Sequence, residues 1–145
     1  MDFTSVNRKT VRAAMHVVLS AGAPAGWNMF AYRAAALKGI SPAILLGGVG
    51  SIRPPLTPKG LVSQFTIEVI TLVLLRDDAS DWTEAQAEDV LDDMELYVSN
   101  ALLKNRRSEL WDELTFLTPS IVDRVVEEGV PYLSESFMVS VGVFA

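Results

Sequence analysis

The chain has 145 residues, of which half are hydrophobic and 21% are charged, and its formal net charge is −6. This length suits a single domain spanning residues 1–145, and this hydrophobic content excludes wholesale disorder. The acidic balance argues against a nucleic-acid-binding surface, and the absence of cysteine excludes disulfides and thiolate metal sites.

The N-terminal part of the chain predicts an amphipathic helix. Met1-Asp2-Phe3 lacks the features of a signal peptide, so a cytosolic origin is the simplest expectation. Thr4 or Ser5 can serve as the N-cap, and Gly22 marks the end. The apolar residues between them recur at helical spacing, at Val11, Ala14, Met15, Val18 and Leu19.

Three strands are predicted between this helix and the middle of the chain. The first candidate runs from Trp27 to Tyr32 and the second from Ile44 to Val49, where Gly47 and Gly48 suggest a bulge or a close backbone approach. Ser51 to Gly60 contains three prolines, so it is expected to form a projecting loop. Gln64 to Leu75 then reads as a long strand whose second half is buried on both faces. The longest apolar stretch, Phe65 to Leu75, carries Glu68 and is too short for a membrane helix of about 20 residues.

A long acidic helix follows. Thr83 and Gln86 have the spacing of a capping box, and the helix is expected to end near Lys104, Arg106 and Arg107. One face is apolar, and the other is filled by carboxylates at Glu88, Asp89, Asp92, Asp93 and Glu95. The pattern predicts a helix that covers a sheet and turns an acidic surface outward.

The C-terminal part reads as strands. Leu114 to Leu117 and Ile121 to Val126 are short candidates, Glu127 to Pro131 is a turn, and the period-2 run that follows is interrupted only by Glu135. The predicted order is α-β-β-β-α-β-β. The fold class is therefore α+β, an antiparallel sheet flanked by two amphipathic helices.

The sequence contains no recognisable catalytic or cofactor-binding constellation. His16 is the single histidine and has no metal-ligating companion, and the hydroxyl residues have no triad partners. Glu88 and Asp92 could in principle hold a divalent cation, although a solvated helix face explains them better. Gly47 to Gly50 lacks the Gly-Lys-Ser/Thr sequence of a phosphate loop. No catalytic, cofactor or metal site is predicted.

Two sets of residues are candidates for an interface. The loop residues Arg53, Pro54, Pro55 and Lys59 place cations and prolines on an otherwise acidic chain, which suits contact with an acidic neighbour. The second set comprises Trp82 and Trp111, which stand near element boundaries. Those tryptophans are interpreted first as closing the core, with anchoring of an interface as the alternative.

The segments in order resemble the tail terminator, or tail completion, proteins of long-tailed bacteriophages. The segments that carry this resemblance are Arg8 to Leu19, Phe30 to Arg33, Ser41 to Leu46, Phe65 to Val69, Asp81 to Asp89, Asn105 to Arg107, Pro119-Ser120, and Gly129 to Ser136. None of them is a short motif with its own chemistry. The resemblance rests on the order and sizes of the elements and on local sequence.

The resemblance implies a structural virion protein of the phage neck. It would form a hexameric ring that caps the tail tube, stops its growth, and binds the tail tube protein on one side and a head-side connector on the other. DNA would pass through an acidic lumen without specific binding. A stopper or adaptor of the head-to-tail joint is an alternative, and a small-molecule- or metal-binding α+β domain is another.

Overall fold

A computed structural model describes residues 6–34, 37–53, 62–76 and 81–144 of the chain. Within these residues, the helices are α1 (Arg8–Ser20) and α2 (Glu84–Lys104). The strands are β1 (Asn28–Phe30), β2 (Ala43–Ile52), β3 (Val62–Leu74), β4 (Glu113–Phe116), β5 (Ile121–Glu127) and β6 (Val130–Phe144). The α+β class predicted from the sequence is confirmed.

The sheet differs from the prediction in two respects. Its strand order is β1-β2-β3-β6-β4, with β5 also paired to β6, and the β1–β2 pair is parallel, so the sheet is mixed. Three strands follow α2 where the predicted order has two. Both β4 and β5 pair with β6, β4 near its end and β5 near its start, because the chain leaves the sheet around Pro119 and Ser120.

The first helix begins at a different cap from the predicted one. Asn7, and not Thr4 or Ser5, is the N-cap, and its side-chain oxygen accepts a hydrogen bond from the Thr10 amide at 2.9 Å. An amide oxygen satisfies a backbone donor of the first turn as a hydroxyl would. The apolar stripe of α1 is as predicted, with Val11, Met15 and Leu19 buried.

The acidic helix has the predicted cap and orientation. Thr83 and Gln86 form the capping box, with Gln86 Oε1 accepting from the Thr83 amide at 2.8 Å and Thr83 Oγ1 accepting from the Gln86 amide at 3.3 Å. Its buried residues are Ala87, Leu91, Met94, Val98 and Leu102. The carboxylates of its other face are exposed, apart from the half-buried Glu95.

The main core lies between the two helices and one face of the sheet. Alternate residues of β3 and β6 point into it, among them Phe65, Ile67, Val139 and Val141. The second half of β3 is buried on both faces as predicted, because a smaller cluster covers part of the opposite face. That cluster contains Leu37, Ala43, Leu45, Leu72 and Tyr132.

The glycines of β2 mark the predicted irregularity. The register with β3 shifts between Gly48 and Gly50, which is a β-bulge. Beyond the bulge β2 continues to Ile52, so Ser51 and Ile52 belong to the strand and not to the predicted projecting loop. Residues 54–60 of that loop lie outside the described residues.

Candidate assembly surface

The outer edge strand β5 exposes apolar side chains. It pairs with β6 along one side, and no strand pairs with its other side among the described residues. Ile121 and Val126 are each 68% exposed, and Val122 is 56% exposed. An edge strand offers unpaired backbone groups, and soluble proteins commonly protect such edges with charges, prolines or a covering segment. The centre of β5 carries the exposed charges Asp123 and Arg124, whereas the apolar side chains toward its two ends are suited to being covered by another protein.

Both faces of β5 contribute to this surface. Ile121 lies opposite Ser136 in the register and therefore faces away from the helices. Val122 and Val126 lie opposite Glu135 and Pro131, on the side that carries the helices. Because side chains of successive strand residues point to opposite faces, a partner must wrap around the edge to cover all three.

Specific side-chain contacts hold β5 in place. Ser120, just before the strand, donates a hydrogen bond of 2.6 Å to the Glu135 carboxylate, and Arg124 lies 3.6 Å from Glu84 at the start of α2. Burial raises the pKa of the Glu135 carboxyl, the Ser120 hydrogen bond opposes that rise, and the carboxylates Glu95 and Asp92 add to it. The Ser120 hydrogen bond ties the beginning of β5 to β6, and the exposed Arg124 lies near the first turn of α2.

The turn between β5 and β6 carries two carboxylates beyond the apolar edge. Glu128 and Gly129 form the turn, with φ values of 51° and 80°, in the left-handed region that suits a tight hairpin. Glu128 is exposed and Glu127 is half-buried. The apolar edge of β5 therefore ends in an acidic tip.

The face of the sheet opposite the helices is more polar than the core face. Arg33 lies there, with its guanidinium 3.1 Å from the Glu68 carboxylate and 3.4 Å from the Gly48 carbonyl. A shallow cavity of about 240 Å³ lies beside it, lined in part by Ile70 and Ser136. These groups form one ion pair beside a partly apolar depression.

The predicted interface residues of the loop are in different situations. Arg53 is tied to its own chain, because its guanidinium donates to the Val6 carbonyl at 2.7 Å and to Ser63 Oγ at 3.3 Å. It also stacks over the Phe65 ring, 4.8 Å from the centroid. Pro54, Pro55 and Lys59 lie outside the described residues. The contact of this loop with an acidic neighbour stays a prediction.

The two predicted tryptophans occupy positions in and beside the core. Trp111 is 1% exposed, and its indole nitrogen donates to the Asn105 carbonyl at 2.9 Å. Trp82 is half-buried and donates to the Leu74 carbonyl at 2.7 Å, which joins the start of α2 to the end of β3. These positions favour the first interpretation, in which both rings close the core. The alternative, in which they anchor an interface, is less favoured.

The single histidine lies at the junction of α1 and the sheet. His16 Nε2 lies 3.3 Å from the Met29 carbonyl oxygen, between α1 and β1. Among the described residues, no three carboxylates or histidines come together in a way that could hold a metal ion. In the same part of the chain neither helix combines the length and apolarity of a membrane span.

Comparison with known proteins gives no family assignment. No protein-family model matches the chain, and no curated protein is significantly similar to it.

The apolar edge of β5 was not among the residues predicted to form an interface. The sequence does contain a signal for it, because Ile121-Val122 and Val125-Val126 are adjacent apolar pairs. A strand with one buried face would alternate apolar and polar residues instead. Adjacent apolar pairs in a short strand outside the core place apolar side chains on both faces of the strand. At the edge of a sheet, few of these side chains can be buried.

Proposed function

We propose that this chain is a structural virion protein, a tail terminator of a long-tailed bacteriophage. In this proposal six copies form a ring on the head-proximal end of the tail tube. The ring stops growth of the tube and joins it to the connector on the head side. DNA passes through its lumen without specific binding.

The observation that carries the proposal is the exposed apolar edge of β5. Its three large aliphatic side chains remain exposed while the core beneath the helices is closed. A protein that works as a monomer gains nothing from such an edge and risks aggregation. In a ring, by contrast, a neighbouring copy covers this apolar edge at every contact between subunits.

The resemblance in the order and sizes of the elements supports the choice of a tail terminator among assembly proteins. The acidic outer face of α2 is compatible with a conduit for DNA, since carboxylates repel phosphates. A stopper or adaptor of the same joint would share these properties. The position of the protein in the assembled tail distinguishes the two.

Mass measurement and imaging test the proposal. Sedimentation of the purified protein, alone and with tail tubes of the phage that encodes it, should give a six-fold assembly either free or on the tubes. Electron micrographs should show one ring at the head-proximal end of each tube. A stable monomer that never associates with tube ends would overturn the proposal, and a ring bound only to the head connector would favour the stopper.

A further inference from the structure

A basic groove lies at the end of the molecule opposite the acidic β5–β6 turn. It has a volume of about 590 Å³ and lies between the end of α2 and the start of β4. The residues that line it include Leu103, Lys104, Arg106, Arg107, Glu113 and Leu114. The groove is therefore lined by three cations, although the net charge of the chain is −6.

The cations of the groove are available to a partner. Lys104, Arg106 and Arg107 are exposed. Among the described residues, neither Arg106 nor Arg107 forms a side-chain hydrogen bond or an ion pair. Two carboxylates, those of Asp112 and Glu113, also line the groove, so its lining has three cations and two carboxylates; the side chain of Glu113 lies against Gly142 on the sheet, and Asp112 is exposed.

The groove also offers apolar contact. Leu103 is 47% exposed on the last turn of α2 and Leu114 lies below it, on the core side of β4. A partner that fits must therefore carry both carboxylates and an exposed apolar side chain. The acidic tip of the same chain has this chemistry: Val126 is exposed on the helix side of β5, Glu127 points to the opposite side, and the exposed Glu128 lies in the turn, so a groove that takes the tip end-on contacts all three.

The register of the sheet separates the two features widely. The tip lies at the start of β6, beside Val130, whereas the groove lies where Glu113 pairs with Gly142 near the end of β6. Twelve residues of extended strand separate those positions, which is about 40 Å. A chain cannot bring its own tip into its own groove, so such a contact joins two copies.

We propose that the acidic β5–β6 turn of one copy docks in the basic groove of the next. Val126 lies against Leu103, and Glu127 and Glu128 face Arg106 and Arg107. The contact uses a different surface on each copy, so it is heterologous, and repeated contacts of this kind close into a ring when the rotation between copies allows it. The inference rests on the proposed ring, since it names the surfaces through which neighbouring copies of that ring meet.

Charge reversal with exchange tests the contact. One variant carries Arg106→Glu and Arg107→Glu, and the other carries Glu127→Arg and Glu128→Arg. Each variant alone sets like charges against each other at every contact, and we expect its association to weaken by at least about tenfold. An equimolar mixture of the two, and a single chain with all four changes, should recover assembly, because opposite charges then face each other again.

Two control variants have the same changes in net charge as the two reversal variants. Asp92→Arg with Asp93→Arg changes the net charge as the tip variant does, but on the outer face of α2. Arg8→Glu with Lys9→Glu changes it as the groove variant does, at the exposed start of α1 and outside both the groove and the acidic turn. Both controls should assemble like the wild type, as measured by sedimentation in low salt, and circular dichroism should show that all variants are folded.

The outcomes separate this contact from the proposed function. A wild type that forms rings while both reversal variants assemble equally well would overturn the contact and leave the ring. Reversal variants that fail to assemble and are not recovered by mixing or by the fourfold change would also overturn it, since the cations would then act only on the end of their own helix. A wild type that remains monomeric with and without tail tubes would overturn both.

Discussion

Replacing the two most exposed apolar residues of β5 by lysine should abolish assembly while leaving the monomer folded. Ile121 and Val126 are each 68% exposed, so together they leave the equivalent of about 1.4 aliphatic side chains to be buried by a neighbour. At roughly 1.5–3 kcal/mol for a fully buried side chain, covering them stabilises a contact by about 2–4 kcal/mol. Ile121→Lys with Val126→Lys removes this contribution and adds two charges that must be desolvated.

A loss of about 2–4 kcal/mol weakens each contact by a factor of about 30 to about 1000. Sedimentation over a range of concentrations measures that factor directly. Neither residue belongs to the core, so the thermal unfolding of the monomer should change little, by roughly 0.5 kcal/mol or less for each surface substitution.

A matched control uses exposed apolar residues elsewhere. Val17 on α1 is 67% exposed and Leu96 on α2 is 59% exposed, so Val17→Lys with Leu96→Lys makes a similar change in apolar area and the same change in charge. This variant should assemble like the wild type. Equal loss of assembly in the two variants would show that general apolar surface or net charge, and not the edge of β5, is responsible.

Three further variants test the fold and its pH dependence. Thr83→Ala should cost about 1 kcal/mol and lower the Tm by about 3 °C, because it removes the N-cap acceptor, whereas Thr83→Ser should retain most of the stability. Met94→Ala should cost about 2–5 kcal/mol in chemical denaturation because that side chain is fully buried, and Leu96→Ala on the exposed face should be nearly neutral. Glu135→Gln should raise the Tm near neutral pH, since burial raises the pKa of the carboxyl and its charged form is disfavoured in the fold. That gain should shrink to nothing in acid, below the ordinary pKa of a glutamate, where wild-type Glu135 is protonated in both states; a gain independent of pH would contradict the reasoning.

Elements with a strong local pattern could be predicted from the sequence. The acidic helix was placed from its apolar spacing and its capping box, and the last strand from its period-2 run, because both signals are contained within the element itself. Asn7 was missed because Thr4, Ser5 and Asn7 are all suitable N-cap types, and the apolar stripe does not say which of them begins the helix. Local chemistry here predicts the element better than its first residue.

Pairing between distant strands could not be predicted in the same way. The three residues of β1 pair in parallel with β2, and their sequence holds no sign of that direction. The candidate assembly surface depends on similar information. Arg106 and Arg107 read as charges at a helix end, and only the pairing of Glu113 with Gly142 shows that they border a groove at the far end of β6 from the acidic turn.

The chain keeps the residues that hold its fold apart from those proposed to hold its assembly. Its core lies between the helices and one face of the sheet, whereas the exposed side chains of β5, the acidic turn and the basic groove lie at the edge and the ends of that sheet. Substitutions of the exposed side chains at these sites remove little buried area within one copy, so they should change association while changing monomer stability little. A loss of assembly without a loss of monomer stability can therefore be attributed to the contact between copies.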